Sequence, residues 1–119
     1  MRVLLIEDNE HHAEFIIREL TKAGIESVCV QSAEEALRRV PRERYHMILC
    51  DIRLPGMSGL EFARQARNLR SFSGIVLAAI SSSAMPRDEE AALEAGFKAF
   101  VAKPMSPAFA KKIKEIAGQ

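Results

Sequence analysis

The 119-residue sequence predicts a single doubly wound α/β domain, in which a parallel five-stranded sheet lies between two layers of helices. Short apolar runs alternate with helical patterns five times along the chain. Three of the predicted strands are continuous apolar runs rather than alternating ones, which is typical of strands covered on both faces. Right-handed crossovers then join five β-α repeats into one three-layer domain over residues 1–119.

The five predicted strands are short and apolar, as buried strands are. They cover residues 2–7, 26–30, 46–50, 74–80 and 99–102. The first helix covers residues 10–23, where apolar residues recur at helical spacing, and Gly24 ends it. A capping box formed by Ser32 and Glu35 opens the second helix, which ends at Pro41.

The last three helices also have sequence signals at their starts. A second capping box, Ser58 with Glu61, opens the third helix, which we expect to end near Arg70. The fourth helix covers residues 86–96 and ends at a glycine. Ser106 is a good N-cap for the last helix, and a proline follows it in the first turn. The apolar face of this helix consists of Phe109, Ile113 and Ile116.

Composition excludes several classes of protein. Apolar residues make up 48% of the chain and the formal net charge is +1, so bulk charge gives no reason to expect a nucleic-acid or membrane partner. Cys29 and Cys50 lie inside predicted strands, where we expect small buried side chains rather than a disulfide or a metal site. With no long apolar run and no signal-peptide pattern, we expect a cytoplasmic protein.

The carboxyl ends of four predicted strands carry polar groups. The first strand ends in Glu7 and Asp8, the third in Asp51, the fourth in Ser81, and the fifth in Lys103. In sheets of this kind, ligands bind outside these ends, where the strand order reverses. For the order 2-1-3-4-5, the first and third strands are neighbours, and Asp8 then lies beside Asp51.

Three neighbouring carboxylates repel one another unless a cation lies between them. A hard divalent ion with oxygen ligands meets this need, and Mg²⁺ binds through few carboxylates while keeping several waters. No cluster of histidine and cysteine favours a softer metal. One carboxylate could then attack phosphorus, with the metal and Lys103 neutralising the incoming oxygens and Ser81 donating a hydrogen bond to a third oxygen.

With the stretches LLIEDNE, ILCDIRLPGMSGLEF, ISSSAM and GFKAFVAKPM in this order, the sequence resembles the receiver domain of two-component response regulators. The resemblance covers essentially the whole chain and implies a flavodoxin-like (βα)5 fold. It implies that Asp51 is the phosphoacceptor, phosphorylated by a histidine kinase or a histidine phosphotransfer protein. It also implies Mg²⁺ as cofactor, held by Glu7, Asp8, Asp51 and the backbone carbonyl of Arg53.

The same resemblance implies roles for four more positions and a second role for Arg53. Ser81 matches the switch hydroxyl and Lys103 the phosphate-contacting lysine, while Phe100 falls at the aromatic switch position. Arg53 and Ser83 flank the path of hydrolytic water and would tune the lifetime of the phosphoryl group. The family often has threonine where this chain has Ser81, and tyrosine where it has Phe100. Because phenylalanine has no phenol, its ring cannot form a hydrogen bond that differs between the two states of the switch.

The resemblance also implies an output surface. The face formed by the fourth helix, the fifth strand and the fifth helix would change shape and bind a downstream protein target. The bond before Pro104 is expected to be cis. We expect a monomer, and a freestanding regulator is favoured over the receiver of a longer hybrid kinase or regulator. The chain is expected not to be an enzyme beyond its own phosphorylation and dephosphorylation.

Three other functions are known for domains of related topology or sequence. A phosphohydrolase with an aspartyl-phosphate intermediate would have a D-x-D motif after the first strand, where this chain has EDNEH. A flavin-binding domain of the same topology would have a hydroxyl- or glycine-rich loop there. A degenerate receiver that binds proteins without phosphorylation is the main alternative. His11 and His12 are expected to be exposed residues of the first helix, where they could influence partner contact.

Overall fold

The computed structural model describes residues 1–82, 85–103 and 108–118 and confirms the doubly wound, flavodoxin-like fold. All strand pairs are parallel, and the sheet order is β2-β1-β3-β4-β5. The strands are β1 (Arg2–Ile6), β2 (Glu26–Val30), β3 (Met47–Asp51), β4 (Val76–Ser81) and β5 (Ala99–Ala102). The α-helices are α1 (Glu10–Lys22), α2 (Ala33–Arg39), α3 (Gly59–Ala66), α4 (Pro86–Ala95) and α5 (Phe109–Ala117).

Three of the expectations fall outside the described residues. They are the lifetime role of Ser83, the cis bond before Pro104 and the N-cap at Ser106. Within the described ranges, no helix has the length and apolar content needed to cross a bilayer.

The sheet has a separate apolar core on each face, which explains the continuous apolar strands. Along β1, Leu4 and Ile6 contribute to the core beneath α2, α3 and α4, whereas Val3 and Leu5 contribute to the core beneath α1 and α5. These four side chains are fully buried. Because successive side chains of a strand point to opposite faces, burial on both faces requires apolar residues at every position.

The predicted helix starts are confirmed where the structure describes them. The Ser32 hydroxyl accepts a hydrogen bond from the Glu35 amide at 3.1 Å, and the Ser58 hydroxyl accepts one from the Glu61 amide at 3.2 Å. The first helix begins after Asn9, whose side chain accepts from the backbone amide three residues later at 3.1 Å. These caps satisfy amides that have no partner inside the helix.

Several predicted boundaries differ from the structure by one or two residues, and the end of the third helix differs by more. The third helix ends at Ala66 instead of near Arg70, and a 3₁₀ turn (Arg70–Phe72) follows it. The turn buries Phe72, whose ring contacts the ring of Phe62 edge to face at 5.7 Å between centroids. The fourth strand begins at Val76 rather than at residue 74, because the glycine at that position has φ +83° and cannot continue a strand.

The strand register places the carboxyl ends of β1, β3, β4 and β5 side by side. Ile6 lies opposite Cys50, so Glu7 comes level with Asp51. On the other side of β3, Asp51 lies opposite Ile80, one residue before Ser81. The register therefore brings together one edge of polar residues, as the sequence predicted.

Candidate functional site

Three carboxylates converge where β1 and β3 end. Glu7, Asp8 and Asp51 each place one oxygen within 4.8 Å of the others, which confirms that Asp8 lies beside Asp51. The exposed fractions of Glu7 and Asp51 are only 1% and 7%, whereas Asp8 is exposed. An all-oxygen donor set that opens to solvent on one side fits a hard divalent cation such as Mg²⁺ that keeps part of its water shell.

A buried lysine balances part of this negative charge. Lys103 follows β5 directly, and its backbone amide donates to the Ser81 carbonyl at 2.7 Å. Its side chain is 5% exposed, and the ammonium donates to Asp51 Oδ2 at 2.9 Å and to Glu7 Oε1. Buried charges are tolerated when they are paired and hydrogen-bonded. Lys103 therefore acts as the internal counterion of two carboxylates.

The pKa of Glu7 depends on its burial and on the charges beside it. Burial raises the pKa of the Glu7 carboxyl above its usual value, and the nearby Asp51 charge raises it further. The hydrogen bond from Lys103 acts in the opposite direction but does not cancel the effect of burial on this pKa. The second oxygen, Oε2, accepts from the backbone amide of Asn9 at 3.2 Å. A second cation close to Glu7 would favour the ionised form.

The loop after Asp51 is held against the end of β3. The Arg53 amide donates to Asp51 Oδ1 at 2.9 Å, which orients the carboxylate. The loop packs closely where α3 begins, since a Cβ on Gly59 would lie 2.5 Å from the Asp51 carbonyl oxygen. Glycine is required at such an approach of one backbone segment to another.

Glu34 in the first turn of α2 also holds this loop, and the sequence analysis missed it. Its Oε2 accepts from the Met57 amide at 3.3 Å, across 23 residues of sequence. The same oxygen would lie 2.9 Å from a Cβ on Gly56, whose φ is +73°. An acidic residue at a helix start is common, so its sequence context gave no signal for this contact.

Three further predicted residues, Ser81, Phe100 and Arg53, lie within the described ranges. Ser81 is fully buried at the end of β4 and lies opposite Ala102 in the sheet register. Phe100 is half-buried and packs against the core beneath α2, α3 and α4. The Arg53 side chain points into solvent, with a guanidinium nitrogen 3.9 Å from a carboxylate oxygen of Asp88 in α4.

His12 was expected near the site as an exposed residue, but its contact with Lys103 was not predicted. The predicted exposure is confirmed, since 46% of the side chain is accessible. Its Nδ1 lies 3.1 Å from Lys103 Nζ. The Asn9 cap provides a signal, because it places His12 in the first turn of the helix that follows Glu7 and Asp8.

Comparison with known proteins assigns the family. Residues 3–114 match the family model of the response regulator receiver domain. The polar-differentiation response regulator DivK of Brucella ovis is 35% identical over 118 residues, which are 98% of this chain and 95% of DivK. The sensory/regulatory protein RpfC of Xanthomonas campestris pv. campestris is 34% identical over 109 residues, 88% of this chain, but the match spans only 15% of RpfC.

A solved structure agrees in fold and sequence. The receiver domain of the sensor histidine kinase PA1611 from Pseudomonas aeruginosa PAO1 superposes with a TM-score of 0.89 at 30% identity, covering 99% of this chain and 98% of that domain. That structure has a magnesium ion coordinated in its active-site cleft. With a family match over nearly its whole length, this chain belongs to the response regulator receiver domain family.

Proposed function

We propose that the chain is a phosphorylation-activated signalling switch whose phosphoacceptor is Asp51. The observation that carries the proposal is the environment of Asp51: a buried carboxylate that lies between two other carboxylates and a buried ammonium. The donor would be the phosphohistidine of a histidine kinase or of a histidine phosphotransfer protein.

In the proposed transfer, a carboxylate oxygen of Asp51 attacks phosphorus in line with the bond to the donor imidazole. The new oxygen–phosphorus bond forms as the phosphorus–nitrogen bond breaks, and the imidazole leaves with its electron pair. The Arg53 amide holds Oδ1 in place, and Lys103 already lies 2.9 Å from Oδ2. Its ammonium would neutralise charge on the transferred group where that charge develops.

Glu7, Asp8, Asp51 and the backbone carbonyl of Arg53 would hold Mg²⁺ in this proposal. The three carboxylates and Lys103 together carry a formal charge of −2, which one divalent cation balances. When bound, the ion would neutralise phosphoryl oxygens and reduce the repulsion between the carboxylates and the incoming group.

The output would pass through residues around the acceptor. Ser81, fully buried at the end of β4, would donate its hydroxyl to the phosphoryl group, and Phe100 would fill the space that Ser81 leaves. The face of α4, β5 and α5 would then bind a downstream protein. Arg53 and Ser83 would tune the lifetime of the acyl phosphate. We propose a cytoplasmic monomer, where a kinase supplied with ATP can reach Asp51.

Intact mass spectrometry tests the proposal directly. The protein is incubated with Mg²⁺ and acetyl phosphate, beside an Asp51→Asn variant and a sample containing EDTA. The expected result is one labile phosphoryl adduct on the wild type alone, and only with Mg²⁺. No adduct with acetyl phosphate or with a panel of phosphorylated histidine kinases would reject the switch and support a binding module independent of phosphorylation.

A further inference from the structure

His12 supplies a third hydrogen-bond acceptor to the ammonium of Lys103. The other two acceptors are the carboxylates of Glu7 and Asp51, and the His12 nitrogen lies 3.1 Å from Nζ. An ammonium has three N–H donors and no acceptor. Each of its hydrogens therefore has a partner, although the side chain is almost entirely buried.

The contact defines the chemical form of the imidazole. Because an ammonium can only donate, a hydrogen bond at this distance requires Nδ1 of His12 to accept and the ring proton to lie on Nε2. The distance from Nδ1 to Glu7 Oε1 is 3.9 Å, which is too long for a hydrogen bond. His12 therefore contacts the lysine and forms no hydrogen bond with the Glu7 carboxylate.

The proposed reaction changes the interactions of two of the three acceptors and leaves the third unchanged. Glu7 and Asp51 would share their oxygens with Mg²⁺, and Asp51 would also form the bond to phosphorus. Both carboxylates thus change their interaction with Lys103 during the cycle. The imidazole binds neither the metal nor the phosphoryl group in this scheme, so its hydrogen bond to the ammonium is the one that can persist.

We propose that His12 is a positioning residue, which orients the Lys103 ammonium toward the phosphoryl group that enters at Asp51. This inference rests on the proposed function. Without the imidazole, the ammonium would pair only with the two carboxylates and would be drawn further onto Asp51, the nucleophile. Phosphorylation would then become slower, since the nucleophile is held more tightly and the lysine is less well directed.

The test compares variants that differ in the acceptor and not in bulk. His12→Phe keeps a planar ring without an acceptor, and His12→Gln offers an amide oxygen. His11→Phe, at the adjacent exposed position of α1, is the matched control. The rate of acyl phosphate formation from acetyl phosphate with Mg²⁺ is followed by intact mass. Thermal melts of all variants show whether the fold is retained.

We expect His12→Phe to slow phosphorylation about 3- to 10-fold, as the loss of one half-exposed hydrogen bond of ordinary net strength allows. His12→Gln should restore most of the rate, and His11→Phe should match the wild type. Adduct formation on the wild type with an unchanged rate for His12→Phe would overturn the positioning role alone. A wild type that forms no adduct would overturn both this role and the proposed function.

A spectroscopic measurement tests the contact without phosphorylation. Long-range ¹H–¹⁵N correlation of the histidine rings, in buffer alkaline enough to keep a free imidazole neutral, reports which nitrogen carries the proton. We expect the proton of His12 on Nε2, and we expect Lys103→Met to shift the Nδ1 resonance of His12 but not that of His11. A proton on Nδ1, or an Nδ1 resonance that Lys103→Met leaves unchanged, would contradict the inference.

Discussion

Replacement of Lys103 by methionine should destabilise the folded protein, because it removes the counterion of two buried carboxylates. The variant removes the only positive charge that contacts Glu7 and Asp51 among the described residues, while methionine keeps most of the apolar volume. Two buried carboxylates then face each other without a counterion. We expect a clear loss of stability at neutral pH in the absence of Mg²⁺, and recovery when Mg²⁺ is added.

The size of the loss follows from the geometry. At the 2.9 Å that separates Lys103 Nζ from Asp51 Oδ2, two unit charges attract by about 6 kcal/mol with an effective dielectric constant of about 20. This figure is a ceiling, because Glu7 has a raised pKa and can take up a proton when the lysine is lost. Removal of one partner from a buried pair generally costs about 3–5 kcal/mol, and we expect about 3 kcal/mol here.

Urea denaturation followed by circular dichroism measures the free energy of unfolding with EDTA and with Mg²⁺. A ligand present at 100 times its dissociation constant adds about 2.7 kcal/mol, so Mg²⁺ should offset most of the loss. The variant should gain more than the wild type, since the ammonium no longer opposes the cation. Lys22→Met is the control, because the Lys22 side chain is 67% exposed and its pair with Glu19 should contribute less than about 1 kcal/mol. A loss below about 1 kcal/mol, or one that Mg²⁺ leaves unchanged, would refute this reasoning.

Two further predictions concern the loop beside the acceptor and a cluster at the opposite end of the sheet. Gly59→Ala should cost about 2–3 kcal/mol in urea denaturation and slow phosphorylation, since its Cβ would lie 2.5 Å from the Asp51 carbonyl oxygen; equal stability would contradict the close packing. A hydrogen bond from Tyr45 lowers the pKa of Glu43, so the unfolded chain binds the proton more tightly. The wild type should therefore be more stable than Glu43→Gln above about pH 4.5 and lose that advantage at lower pH; a constant difference would contradict it.

The sequence was sufficient to predict the layers and the order of the elements. Burial on both faces is visible in the sequence of strands such as β3, where every residue from Met47 to Cys50 is apolar and fully buried. Capping residues likewise act within three or four positions of the helix that they start. The end of α3 was mispredicted because it depends on a tertiary contact, the packing of Phe72 against Phe62.

The residues of the site also fall into two groups: those that the sequence near each strand end predicts, and those that only a tertiary contact identifies. Carboxylates and a lysine at strand ends are predictable, because parallel strands in a known order bring their carboxyl ends to one edge. Glu34 and His12 are different, since each acts through an atom far away in sequence: Met57 for the glutamate and Lys103 for the histidine. Their neighbours Glu35 and His11 have the same residue types, so composition and periodicity could not distinguish which member of each pair makes the long-range contact.

The charge balance of the site also argues for an order of events in the proposed cycle. Without Mg²⁺, Lys103 is shared between Glu7 and Asp51, so the nucleophile is paired and the raised pKa of Glu7 relieves part of the remaining repulsion. A phosphoryl group carries negative charge and would meet a site with a formal charge of −2. Binding of a divalent cation first would bring that charge to zero and weaken the attraction between Glu7 and the Lys103 ammonium. The ammonium could then turn toward the incoming oxygens, which is why we expect phosphorylation to depend on Mg²⁺ even with a small donor.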